Sequence, residues 1–188
     1  MDGRLTVRIG IGGWTYEPWR GVFYPDGLVH RRELEYAAQH LTAIEINATF
    51  YGRQKPASWR KWGAAVPEGF QFTVKASRYS TARKVLAEGA DSIEKFLNQG
   101  FTELGDKLGP ILWQFAPTKH FERDDFARFL DLVPESQDGV PLRHALEIRH
   151  ESFADPTFFE LARTRNMAVV FADSDEYPCI DEATADFS

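Results

Sequence analysis

Short runs of β-branched and apolar residues alternate along the chain with longer stretches whose apolar positions recur every three or four residues. The runs at 5–12 (LTVRIGIG), 43–47 (AIEIN), 70–75 (FQFTVK), 111–115 (ILWQF), 145–149 (ALEIR) and 168–172 (AVVFA) read as six strands. Between them, four sets of positions each form one apolar helical stripe: Leu34, Ala37, Ala38 and Leu41; Ile93, Phe96, Leu97, Leu104 and Leu108; Phe126, Phe129, Leu130 and Val133; Phe158, Leu161 and Ala162. The stretch 55–66, with Trp59 and Trp62 three apart, reads as a further helix that stops at Pro67-Glu68-Gly69.

Connections long enough to hold a helix imply parallel pairing, because a parallel crossover needs about a dozen residues or more. The expected class is therefore α/β. Strand starts are spaced by about 33 residues, so eight units would need roughly 260, close to a typical (β/α)₈ barrel. This chain supplies six of the eight, with parallel strands inside and helices outside. No linker, charge block or repeat interrupts it, and 1–188 is expected to be a single barrel domain.

Composition narrows the function classes. Of the 188 residues, 43% are hydrophobic and 27% charged, which excludes disordered and low-complexity classes. A net charge of -6 gives no global positive field to draw the chain onto nucleic acid or anionic membrane, although a local basic site stays open. The single cysteine, Cys179, can form neither an internal disulfide nor a thiolate cluster, so a buried or incidental thiol in a reducing cytoplasm is the simplest reading. The N-terminal segment lacks the apolar stretch of a signal peptide, and no run approaches the roughly 18 apolar residues of a membrane span. A cytoplasmic protein without membrane contact is expected.

The segment Gly13-Trp14-Thr15-Tyr16, followed by Trp19, Gly21 and Phe23-Tyr24-Pro25, is more specific than this pattern. It resembles the YecE-like family, domain of unknown function 72. The likeness continues through Glu45-Ile46-Asn47 with Phe50-Tyr51, then Phe70 to Lys75, Lys107-Leu108-Gly109-Pro110 with Gln114, and Glu147-Ile148-Arg149-His150. The resemblance implies a TIM-like barrel without an agreed activity. Two departures stand out: Thr81-Ala82 replaces the family's Thr-His pair, and the family continues past residues 184–187 into two further strands. The expectation is a barrel lacking its last two β/α units, a piece of a longer parent. Its first and sixth strands would be open edges through which copies can associate.

In a parallel barrel the loops after the strands form the reactive face. Polar residues at strand C-terminal ends are Trp14 and Tyr16, Glu45 and Asn47, Lys75, Gln114, Glu147, Arg149 and His150, and Asp173. Period-two alternation puts Glu45 with Asn47, and Glu147 with Arg149, on inward faces, with Ile46 and Ile148 toward the helices. Glu45, Asn47, Lys75, Gln114, Glu147 and Arg149 are expected to converge. Glu45, Glu147 and Lys75 form the candidate catalytic set, with the two glutamates as acid or base. Arg149 and Lys75 can bind an oxyanion, Asn47 and Gln114 can orient hydroxyl or carbonyl groups, and Trp14, Tyr16 and Tyr51 can stack on a sugar or base. His150 and Asp173 complete the candidate binding set.

The bland reading of the same charges is an internal network in which Glu147 offsets Arg149 and Glu45 offsets Lys75. Glu45, Glu147, His150 and Asp173 include metal-donor types, but without metal-ligand spacing no metal is assigned, and no cofactor is identified. His30, His40, His120 and His144 read as surface or capping residues. No G-x-S-x-G elbow occurs, and Gly10-Ile11-Gly12-Gly13 lacks the spacing of a phosphate loop. The leading expectation is an enzyme acting by acid/base chemistry on a small anionic, hydroxylated substrate, such as a phosphorylated sugar or nucleotide-like compound. The alternative is a non-catalytic module that binds nucleic-acid ends or a protein partner through Trp14, Tyr16, Arg53, Lys55, Arg60 and Lys61.

Overall fold

The computed structural model describes residues 6–188. Its strands are β1 (Gly10–Gly12), β2 (Ala43–Ile46), β3 (Gln71–Lys75), β4 (Leu108–Gln114), β5 (Ser136–Gln137), β6 (Val140–Pro141), β7 (His144–Glu147) and β8 (Ala168–Val169). Six of them form one parallel sheet in the order β1-β2-β3-β4-β7-β8, and β5 and β6 form a separate antiparallel hairpin. The helices are α1 (Glu33–His40), α2 (Ala48–Tyr51), α3 (Pro56–Ala64), α4 (Arg78–Thr81), α5 (Ala90–Leu97), α6 (Arg123–Leu132) and α7 (Pro156–Thr164). Every neighbouring pair in the six-stranded sheet is parallel, and the arrangement is that of a TIM-like barrel wall.

The outer face of the sheet carries the core. Ile44 and Ile46, Phe72 and Val74, Ile111 and Trp113, and Leu146 alternate toward the helices and are buried. Helix α6 buries Phe126, Phe129 and Leu130 at helical spacing, and its two phenylalanines join Phe115, Phe153 and Phe158 in an aromatic cluster with ring centroids 5.2–5.9 Å apart. The inner face holds the alternating polar positions.

The first and last predicted strands are shorter than expected by several residues. Of the first, Leu5 lies outside the described residues, and pairing begins only at Gly10, with Val7 and Ile9 82% and 69% exposed. At Gly10 a Cβ would lie 2.5 Å from the Ala43 carbonyl oxygen, so β1 approaches β2 at a distance only glycine allows. The last strand pairs with β7 only as far as Val169, and its free edge is taken by a side chain. The buried Thr184 hydroxyl donates to the Met167 carbonyl and accepts from Val169 N at 2.7 and 2.9 Å. The expected open edge at β8 is thus covered locally by the chain itself, while β1 and β8 are not paired with each other.

The long helical stripe from Ile93 to Leu108 is divided. Helix α5 ends at Leu97, Gly100 adopts φ 88°, a 3₁₀ segment runs over Phe101–Lys107, and Leu108 opens β4. Lys107 caps α3, its Nζ donating to the Gly63 and Val66 carbonyls at 2.8 and 2.9 Å. His144 was expected at the surface, yet it starts β7 and is buried. Its Nδ1 accepts from Trp113 Nε1 at 3.1 Å and its Nε2 faces the Pro134 carbonyl at 2.9 Å. The β5–β6 hairpin turns through Asp138 and Gly139, both at positive φ.

Candidate functional site

The sheet register assembles the mouth from its C-terminal ends. Gly12, Glu45 and Thr73 lie level across β1, β2 and β3, Lys75 pairs with Leu112, and Gln114 pairs with Glu147. Inward alternation then brings two charged groups together. In the first, Lys75 Nζ stands 3.7 Å from Glu45 Oε1 and 5.3 Å from the centroid of the Phe50 ring. In the second, Gln114 Nε2 donates to both Glu147 oxygens at 2.7 Å, and Arg149 Nε donates to Glu147 Oε1 at 2.7 Å, with Nη2 in ion-pair contact with the same oxygen at 2.6 Å.

Asn47 completes the β2 side. A Cβ on Gly12 would lie 3.0 Å from Asn47 Nδ2 and 4.0 Å from Glu45 Oε1, so the absence of a side chain at residue 12 makes room for both. The glycine run therefore shapes the site: Gly13 turns the chain at φ 92° and Gly12 clears the space beside Glu45.

Burial raises the Glu45 pKa above the ordinary carboxylate value. The Lys75 ammonium partly offsets this, the Glu147 carboxylate reinforces it, and Arg149 lowers it again. The two groups thus act on one another through space. Glu147 differs chemically, because three hydrogen bonds from Gln114 and Arg149 engage it, whereas Glu45 has no comparably close donor.

The other candidates are placed differently. Trp14 packs edge-on against Trp62 with centroids 5.5 Å apart, and its carbonyl accepts from the Tyr24 hydroxyl. Tyr16 folds back, its hydroxyl donating to the Gly12 carbonyl and its ring lying on Trp19. Tyr51 is 68% exposed, with the Arg78 guanidinium 5.9 Å from its ring. His150 caps the turn after β7: its Nδ1 accepts from Ser152 N at 3.1 Å, and its ring lies 3.9 Å from that of His120. Asp173 is exposed in the segment after β8, with no ion pair among the described residues. Arg60 pairs with Glu103 at 2.7 Å, and Cys179 is exposed rather than buried. Among the described residues no group of three or more His, Cys, Asp or Glu side chains could hold a metal ion.

Sequence reasoning missed one neighbour of the mouth. Tyr177 comes from the irregular segment after β8, and the Arg149 guanidinium lies 4.6 Å from its ring centroid. No period marks that segment, so only the aromatic residue type hinted at such a role.

A parallel β/α wall with helices outside and polar side chains at the strand C-termini defines a TIM-like barrel protein with a candidate site at its mouth. The chain belongs to the DUF72 family, described as a protein family of unknown function, whose model matches residues 8–188. It is 28% identical over 159 residues to the UPF0759 protein YunF of Bacillus subtilis (strain 168), covering 82% of this chain and 54% of that protein. The chain therefore spans about half the length of this curated relative. Among solved structures it resembles the DUF72 family protein TM1631 of Thermotoga maritima MSB8, with TM-score 0.75 and 26% identity over 95% of this chain and 71% of that one. The DUF72 family protein EF0366 of Enterococcus faecalis V583 has the same fold, with TM-score 0.75 and 20% identity, covering 96% of this chain and 67% of that one. No helix among the described residues is long and apolar enough to cross a membrane.

Proposed function

We propose that the mouth binds a small anionic, hydroxylated molecule, of the class of phosphorylated sugars or nucleotide-like compounds, and transfers a proton on it by acid/base chemistry at Glu45. The observation that carries this reading is the Glu45 carboxyl, partly buried and raised in pKa beside an ammonium that is near without being within hydrogen-bond distance. A carboxyl in that condition changes protonation closer to neutral pH than an exposed one does, which suits a group that must both give and take a proton.

The surrounding groups suit the remaining tasks. Lys75 has donors left for a substrate oxyanion, and Arg149 spends only Nε and Nη2 on Glu147. Glu147, itself held by Gln114, keeps that guanidinium in place, while the Asn47 amide can orient a hydroxyl. The test is a thermal-shift panel of phosphorylated sugars, sugar acids and neutral polyols. Anionic hydroxylated members should raise the Tm of the wild type more than that of Arg149→Gln or Lys75→Met. Glu45→Gln should retain the shift while losing turnover of the same compound. Equal shifts with neutral polyols, or none with any member, would refute the reading.

A further inference from the structure

A cavity of about 650 Å³ lies beside the mouth, between the segment that follows α4 and the segment that follows β4. Its charged lining consists of Arg83, Lys84, Lys119 and Arg128 against Glu122 and Asp125, with His120 at one side. In a chain of net charge -6 this is a local excess of positive charge. Only one of the four cations, Lys119, is tied to a carboxylate among the described residues.

Arg83 is fixed by neutral oxygens only: Nε donates to the Tyr79 carbonyl at 2.5 Å, Nη1 to the Glu88 carbonyl at 3.1 Å, and Nη2 to Ser92 Oγ. Its position is set, yet no carboxylate cancels its charge. Lys84 and Arg128 are exposed and have no carboxylate partner among the described residues. The two carboxylates are already occupied. Asp125 accepts from Leu86 N and Ala87 N at 2.9 Å and from Lys119 Nζ at 2.8 Å. Glu122 caps α6, accepting from Asp124 N and Asp125 N. Three cations therefore stand without an ion-pair partner around one cleft, against the single carboxylate of Glu122, and one of the three is held in place by neutral acceptors.

We propose that this cleft is a second binding site, distinct from the mouth, that takes the phosphate or pyrophosphate group of a small molecule. A guanidinium held by neutral acceptors, two exposed cations and the Thr81 and Thr118 residues line one cavity and supply donors suited to a compact polyanion. The volume suits a metabolite, and the negative charge of the rest of the chain disfavours a long polyanion that would extend beyond the cleft. The cleft and the mouth meet at the His120–His150 contact, since His150 directly follows Arg149.

Calorimetric titration with inorganic pyrophosphate at matched ionic strength tests this directly. Saturable one-to-one binding is expected for the wild type. The surface variant Lys84→Gln/Arg128→Gln should bind at least about tenfold more weakly at unchanged Tm, because two charge-assisted contacts are lost. Arg149→Gln, which alters only the mouth, should bind pyrophosphate as the wild type does. Absence of saturable binding, full affinity in the double variant, or a loss confined to Arg149→Gln would each overturn the assignment, the last by placing the anion at the mouth.

Discussion

The buried imidazole of His144 should make the stability of this protein fall steeply in mild acid. Its Nδ1 accepts the Trp113 indole N–H, so the neutral ring must carry its proton on Nε2 and donate it to the Pro134 carbonyl. Protonating Nδ1 would set one N–H against another inside the aromatic core. Burial accordingly pushes the His144 pKa down from 6.5 to about 4, with the Pro134 contact opposing it. Because the unfolded chain takes up this proton first as pH falls, the stability contributed by neutral His144 is complete above its unfolded pKa. It is lost between about pH 6.5 and about pH 4. Linkage over that shift gives a loss of about 2–3 kcal/mol between about pH 7.5 and about pH 4.5. The assay is urea unfolding across that range for the wild type and His144→Gln. Whatever the substitution costs at neutral pH, the difference between the two proteins should shrink by this amount on acidification. A difference that is independent of pH would refute the buried neutral imidazole.

Two further outcomes follow from the packing. Asp125→Ala should destabilise the fold by about 3–5 kcal/mol, because it strands the largely buried Lys119 ammonium and two backbone N–H groups; denaturant unfolding at neutral pH measures it. Gly109→Ala should cost about 1–3 kcal/mol, since its Cβ would meet the Phe72 carbonyl oxygen at 2.9 Å within the β3–β4 pairing, and the shift in unfolding midpoint reads this.

The strand centres and the inward alternation were legible because period two leaves no choice once Ile44, Ile46, Leu146 and Ile148 must face the helices. The same alternation brought Glu45 to Lys75 and Glu147 to Arg149. Strand ends were not legible, because they depend on remote partners. Thr184 covers the free edge of β8 from fifteen residues away, and Gly10 sets how closely β1 can approach β2. The family-like motif around Trp14 divides in the same way. Tyr24 is fully buried with its hydroxyl on the Trp14 carbonyl, and Lys107 caps a helix, so both serve the frame of the site. Asp138-Gly139 carried a readable hairpin signal that the strand pattern on either side was too short to reveal. The basic cleft was illegible because Arg83 and Arg128 meet only in the folded chain.

The central claim, that Glu45 is the proton-transfer group of the mouth, is tested most directly by an NMR titration of its side-chain carboxyl carbon. The midpoint should lie above the ordinary carboxylate value of 4.5, and Lys75→Met should drive it higher by removing the ammonium that favours the charged form. A midpoint at or below 4.5 in the wild type, or one that does not respond to Lys75→Met, would contradict the account.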